Sequence, residues 1–395
     1  MSGEPAEGFI PPAHPYERLS SLKSQAAALG GGVVDCSIGT PCDPPPPQVI
    51  AALGSSGAES GYPTAAGSAA YREAAAGWLQ RRFGASVDER TELAACIGSK
   101  EFVVSLPHYL KLRWPQRDTV LYPAVSYPSY AMGAVLAGCR GVPVAVDHRF
   151  CIDLDSISPG DRERALCLWV NSPGNPAGGL EDLAAAAQWG RRHRVPVVSD
   201  ECYAEFTWQG PPRSIVEHGT EGVLALHSLS KRSNMAGVRA GFYAGDAELV
   251  DYLSECRKHA GFMVPGPVQA AAVAAWDDQD HVVEQAARYQ RRLALLAEIA
   301  AAAGAQASLP AGAFYLWAVS PGGDAWAFAD LLARRCGLVV SPGEFYTTGD
   351  PPSEHSGDAG ELKGPDPRAC VRIAAVQPAS RLESALQRLA SAAGE

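Results

Sequence analysis

Between about residues 60 and 245, short apolar runs alternate with longer Ala/Leu-rich stretches, and this alternation restricts the fold more than any other feature of the chain. The strand candidates are Ala94–Ile97, Thr119–Tyr122, Val142–Val146, Leu166–Val170, Val195–Ser199, Val223–Leu226 and Ala240–Ala244. Helices are expected between them at Ala65–Phe83, Lys100–Leu110, Ser129–Ala137 and Leu180–Arg192. Strands that are apolar throughout suit a sheet covered on both faces. Regular βα order makes that sheet largely parallel. We therefore expect an α/β protein whose large domain has three layers, α/β/α, around a mostly parallel sheet.

After Pro265 and Pro267 the pattern changes. Long Ala/Leu/Arg segments, Val268–Ala303 and Ser380–Ala393, flank strand-like Ala313–Ala318, Leu338–Val340 and Val371–Val376, which predicts a smaller α+β domain. A chain of 395 residues exceeds one small core,. The expected division is 45–267 for the large domain and 1–44 with 268–395 for the small one. The prolines Pro44–Pro47 read as a stiff connector, and the polar, aperiodic Gly349–Asp366 as a surface loop,.

Charge and cysteine usage narrow the chemistry. With 33 basic and 43 acidic residues, the net charge is −10 and no basic block stands out, so no nucleic-acid partner is expected,. An anionic substrate must instead meet local arginines. No apolar run of 18 or more residues occurs and the start does not read as a secretion signal, so a cytosolic protein without a membrane partner is expected,. The ten cysteines form no C-x-x-C pair and the histidines lack metal spacing, which predicts reduced, packed thiols and no metal,.

The most informative segment is HSLSKRSNMAGVRAGF (227–242), directly after a strand candidate. It gathers Ser228, Ser230, Lys231 and Arg239, the hydroxyl and guanidinium donors a phosphate needs beside an amine able to lose its proton,. Alone, S-x-S-K reads more readily as a solvated turn lysine; its neighbours overturn that. VPVVSDECY (195–203) stops an apolar run at Asp200, where α/β sheets bind ligands, although a helix or turn cap is the plain alternative,. NSPGNPAGG (171–179) follows another strand and presents Asn175, an amide donor in what is otherwise an Asx-type turn,. IGSKE (97–101) enters a helix through Gly98 and Ser99, whose backbone amides suit a phosphate, or form an ordinary βα turn,. In YPAVSYPSY (122–130), Tyr127 is placed either to stack on a flat ring or to pack in the core,.

Taken together and in this order, these segments resemble fold-type I, class I/II pyridoxal-phosphate (PLP) aminotransferases, from about Val33 to Gln377. The resemblance implies that Lys231 carries the cofactor as a Schiff base, that Asp200 pairs with its pyridinium nitrogen, and that Asn175 and Tyr203 contact the ring oxygen. It implies Tyr127 on the ring face, and Ser99, the Lys100 backbone, Ser228, Ser230 and Arg239 around the phosphate. Arg372, in CVRIAAV, matches the arginine that clamps the substrate α-carboxylate, and Gly39, in SIGTP, the glycine lining that site,. Tyr62, in GYPTAAG, matches the tyrosine that reaches a neighbouring subunit's phosphate, so a homodimer with shared sites is implied. Lys231 would then be both anchor and general base, with glutamate and 2-oxoglutarate as the nitrogen pair.

Within the family, SIGTPCDPPP, GYPTAAGSAAYREA, IGSKE and HSLSKRSNMAGVRAGF look closest to N-succinyl-LL-diaminopimelate aminotransferases of lysine biosynthesis. Two features depart from them: Ala177 stands where relatives carry threonine, and the 349–366 loop is longer. Lyases and synthases on the same fold use the same lysine, aspartate and arginine, so they are one rival. A PLP-sensing regulatory domain is another, disfavoured because nothing before Val33 reads as a DNA-binding module.

Overall fold

Thirteen strands form among the residues that the computed structural model describes, 9–347 and 365–392. In chain order they are β1 (Val34–Asp35), β2 (Leu93–Cys96), β3 (Thr119–Pro123), β4 (Arg140–Val144), β5 (Ala165–Asn171), β6 (Val197–Asp200), β7 (Val223–Ser228), β8 (Gly241–Gly245), β9 (Gln306–Ala307), β10 (Tyr315–Val319), β11 (Leu338–Val339), β12 (Ser341–Pro342) and β13 (Cys370–Ala374). The seven sequence-predicted apolar runs become one sheet in the order β2-β8-β7-β6-β5-β3-β4. Every neighbouring pair is parallel except those made by β8, which runs against β2 and β7. Alternate residues of a strand face opposite sides. Thus Leu168 and Val170 join one apolar cluster while Trp169 joins another, and helices cover both faces.

Helix boundaries follow their caps more closely than the apolar pattern does. The helix expected from Ala65 begins at Ala69, because Gly67 takes φ +90° and the Ser68 hydroxyl accepts the Tyr71 N–H. Asp182 likewise starts the helix expected from Leu180 at Leu183. The long segment predicted over 268–303 is two helices, Gly266–Asp277 and Asp280–Ala302, broken at Asp278 and Gln279. The proline run is not only a connector. Pro47 opens the helix Pro47–Gly54, where its missing N–H costs nothing,. Helices Ala247–His259 and Ala325–Cys336 escaped the sequence reading, although Asp246 and Asp324 cap them and Gly337 (φ +74°) closes the second.

The C-terminal strands build a second sheet, β12-β13-β10-β9, all antiparallel, with β1 and β11 paired beside it. Its register sets Trp317 opposite Arg372. A third apolar cluster packs around it, drawing Leu19 and Leu22 from the start of the chain, Tyr289 and Leu296 from the long helix, and Leu382 from the last one, Ala379–Ala392. Arg292 of the long helix grips Asp43 with both terminal nitrogens, at 2.6 and 2.7 Å, which anchors the segment carrying Gly39. Most of the predicted loop, 349–364, lies outside the described residues. No helix among the described residues is long and apolar enough to cross a membrane.

Gly178 ties the loop after β5 to the rest. It adopts φ +74°, its N–H reaches Gly174 O, and its own carbonyl accepts the Gly312 N–H at 2.9 Å. A Cβ at this position would overlap Gly312 O and Pro310, neither of which can swing aside. Gly178→Ala should therefore cost about 1–3 kcal/mol through left-handed strain and overlap. Urea denaturation should show a lower midpoint with an unchanged m-value.

Candidate active site

Three parallel strands end in step. β5 pairs Asn171 with Asp200 of β6, and Asp200 with Leu226 of β7, so the loops that follow open on one side of the sheet. Ligands in open α/β sheets sit at these carboxyl ends. The loops carry Asn175, Asp200 with Tyr203, and Lys231.

Donors for a phosphate meet beside β2 and β8. The helix Ser99–Arg113 starts after Gly98 (φ +73°) with no side chain capping its first turn, which leaves backbone N–H groups for an anion,. The Arg239 guanidinium lies so close that any Cβ at Gly98 would overlap it. Arg239 reaches Ser230 Oγ at 3.5 Å and Ile97 O at 3.3 Å, and Ser230 Oγ lies 3.0 Å from Ser228 Oγ. The expected group of Ser99, the Lys100 backbone, Ser228, Ser230 and Arg239 is thus brought together; the Lys100 side chain itself is exposed. These donors fit a phosphate monoester.

Lys231 sits in a single helical turn, Leu229–Arg232, and its amine donates to Gly39 O. Burial, followed by the cations Arg372 and Arg239, pulls that amine down to about 8. Gly39 must be glycine, since a side chain would overlap the Tyr315 ring and hydroxyl.

Asp200 is buried at the end of β6. Its Oδ2 accepts from Tyr130 Oη at 2.9 Å and its Oδ1 from the Cys202 N–H at 3.2 Å. Burial raises its pKa, and these hydrogen bonds with Cys202 and Tyr130 counteract the rise,. The Tyr127 ring lies edge-on to Tyr130 with centroids 6.0 Å apart, and burial pushes its hydroxyl up to about 12. A buried carboxyl group beside a half-buried aromatic ring suits a protonated heteroaromatic ring.

Arg372 is 2% exposed yet strongly held. Its guanidinium lies 4.2 Å from the Tyr315 ring centroid and 4.6 Å from that of Tyr346. Nη1 donates to Asn175 Oδ1 at 2.8 Å, while Nη2 donates to Ser37 O at 2.7 Å and to Tyr16 Oη at 3.3 Å. Nε is buried without a partner, a donor left for an incoming acceptor. Tyr203 completes the wall, its hydroxyl 2.8 Å from that of Tyr315.

The structure therefore unites every predicted site residue except Tyr62, which is 99% exposed on this chain. Sequence reading missed Tyr130, Tyr315, Tyr16 and Tyr346. Tyr130 was within reach, since it lies three residues after Tyr127 at the start of a helix,. The others come from distant segments with no local signal.

The family model for aminotransferase class I and II matches residues 32–389. The chain is 40% identical over 363 residues to a probable aminotransferase of Mycobacterium tuberculosis, covering 88% of this chain and 83% of that protein. It is 38% identical over 386 residues to the 4-dedimethylamino-4-oxo-anhydrotetracycline transaminase of Streptomyces rimosus, covering 96% and 99%. A probable N-succinyldiaminopimelate aminotransferase of Thermus thermophilus has a similar structure, with TM-score 0.80 and 30% identity over 95% of this chain and 99% of that one.

The depressed Lys231 amine yields a pH prediction. Only the unprotonated amine attacks an aldehyde, so its reactive fraction should grow as pH rises through about 8,. Borohydride trapping of pyridoxal phosphate on the cofactor-free protein, with peptide mapping, should mark Lys231 with that midpoint. A label on Lys100 or Lys258 would overturn the assignment.

Proposed function

We propose that this chain, a member of the class I and II aminotransferase family, moves an amino group between glutamate/2-oxoglutarate and N-succinyl-2-amino-6-oxopimelate in the cytosol. PLP-dependent amino transfer is the family's chemistry. The observation that carries the reading is the meeting of a low-pKa lysine, a buried carboxylate and a buried, part-satisfied arginine at one end of the sheet. In this reading 45–267 is the cofactor-binding domain, and 1–44 with 268–395 brings Gly39 and Arg372 to it.

When bound, pyridoxal phosphate supplies a protonated ring that takes up the electron pair left as a substrate Cα loses its proton. The Asp200 carboxylate keeps the ring nitrogen protonated. Asn175 and Tyr203 would contact the ring oxygen, Tyr127 would stack on the ring, and Ser99, the Lys100 amide, Ser228, Ser230 and Arg239 would hold the phosphate. The Lys231 amine would accept the proton from the substrate Cα, a task that its lowered pKa suits near neutral pH,. Arg372 holds the α-carboxylate, with Gly39 leaving room beside it. The full exposure of Tyr62 supports its serving a second subunit, and hence a homodimer.

The proposed acceptor is supported by the motif combination and by the name of the Thermus relative. One observation favours a second reading. Tyr16, Tyr315 and Tyr346 surround Arg372, with Trp317 opposite it in the sheet, and this aromatic wall suits a flat, apolar substrate end; the Streptomyces relative is named for a polycyclic ketone.

Half-reactions with a panel of amino donors and oxo acids decide between them. The diaminopimelate precursor should lead in kcat/KM; an aromatic acceptor ahead by more than roughly tenfold, about 1.4 kcal/mol in transition-state binding, replaces it. Failure of glutamate to produce the amine form of the cofactor would point to a lyase or synthase. Asp200→Ala should keep cofactor yet lose more than about 100-fold in proton-transfer rate. Arg372→Lys, without the planar fork, should lower kcat/KM on the order of 100-fold, about 2.7 kcal/mol, for every substrate with an α-carboxylate.

A further inference from the structure

Behind the site lies a buried ionic network that the chemistry above does not use. Arg232 directly follows Lys231, and Glu205 lies two residues after Tyr203; both are buried. Arg232 Nε donates to Glu205 Oε1 at 3.2 Å. Its Nη1 donates to Ala275 O at 2.6 Å and Ser233 Oγ at 3.1 Å, and its Nη2 to Asp278 O at 3.1 Å and Gln279 Oε1 at 3.2 Å. The guanidinium lies 5.4 Å from the Trp78 ring and 5.2 Å from that of Trp276. Glu205 also accepts from Trp78 Nε1 at 2.9 Å, Arg82 Nε at 2.6 Å and Gln279 Nε2 at 3.2 Å. Burial disfavours the Glu205 anion, but the neighbouring Arg232 and Arg82 hold its carboxyl below the usual carboxylate range.

Charges taken out of water add little stability over apolar residues of the same size; what they add is direction. Direction is what the Lys231 segment lacks. Leu229–Arg232 is one helical turn, too short to hold its own orientation,. Ser228 fastens its start through the Ser230 N–H, and Arg232 fastens its end.

We propose that the Arg232–Glu205 pair positions Lys231, fixing it relative to Tyr203 and to the joint at Asp278–Gln279 between the helices Gly266–Asp277 and Asp280–Ala302. The pair touches neither the lysine amine nor Asp200 nor Arg372, so it acts through the backbone. This inference rests on Lys231 being the reactive amine. Loosening the turn lets water reach a group whose acidity comes chiefly from burial.

The test uses the full chain, with and without cofactor. Arg232→Lys keeps the cation but loses the planar fork, and Glu205→Gln keeps the shape but loses the charge. In each, the pH midpoint for borohydride trapping at Lys231 should rise by about one unit as the amine is rehydrated. The kcat should fall roughly tenfold to a hundredfold, with KM within about twofold. The apolar pair Arg232→Met with Glu205→Leu should recover Tm relative to the single variants while midpoint and kcat stay altered, which a purely structural role would not produce. Recovery of kcat along with Tm in the apolar pair, or an unchanged midpoint and kcat in the folded single variants, overturns the proposal. Failure of all three to fold also overturns it, because the charges would then serve the fold itself. A label elsewhere than Lys231 in the unaltered protein is a different failure, that of the site reading.

Discussion

Because β5, β6 and β7 are parallel and in register, a single set of ladder hydrogen bonds decides where the chemistry meets. Asn171 faces Asp200 along that ladder, and the Asn171 side chain then bonds outward, from Nδ2 to Asp200 O at 2.7 Å and from the Asn175 N–H to its Oδ1 at 2.8 Å. A slip of one residue would send each strand's side chains to the opposite face. It would bury the wrong neighbours of Trp169 and Val170 and carry Asp200 away from Tyr130. The apolar sheet faces therefore hold the polar end of the sheet in place, and catalytic geometry is a by-product of core packing.

Dryness at that end acts on three charged groups in different ways. Loss of water favours the neutral form of Lys231, and two nearby arginines push the same way, so the amine is ready to act as a base,. The same loss raises the pKa of Asp200, and the hydrogen bonds with Cys202 and Tyr130 limit the rise,. Arg372 stays charged despite its burial because tyrosine rings and a carbonyl surround it. One solvent-poor cleft thus holds an amine, a carboxyl group and a guanidinium together, each shifted by its burial and its immediate partners.

What was legible in the sequence was whatever local pattern dictates. Apolar runs marked all seven strands of the main sheet, and their ends marked Asp200, Asn175 and Lys231, since a polar residue that stops a buried strand has few places to go. Caps were less visible. Ser68 and Asp182 trimmed two helices, and the apolar pattern ran straight through the break at Asp278–Gln279. Partners distant along the chain left no trace, whether 43 or 112 residues away. Nothing near Tyr203 announces Tyr315, and nothing near Arg232 announces the carbonyls of Ala275 and Asp278. Tyr62, exposed on this chain, marks the remaining limit: the role proposed for it on a second subunit has no counterpart in the geometry of one chain.

The division between the two sheets bears on how such a site diversifies. Lysine, aspartate and phosphate donors all belong to the seven-stranded sheet and its loops, whereas Arg372 lies on β13, flanked by Ser341 of β12 and Trp317 of β10. The Asn175–Arg372 and Tyr203–Tyr315 hydrogen bonds are among those that join the two directly. The chain between β12 and β13 leaves at Thr347, which bridges to Val125, and returns through Pro367, whose carbonyl packs on Gly343. Both ends are thus pinned near Arg372, which pairs with Ser341 across the two strands. Length and sequence in that segment can vary without disturbing the register that aims Arg372. In the proposed function, substrate choice can therefore change at the second sheet while Lys231 and Asp200, held by the ladder of the first, stay as they are.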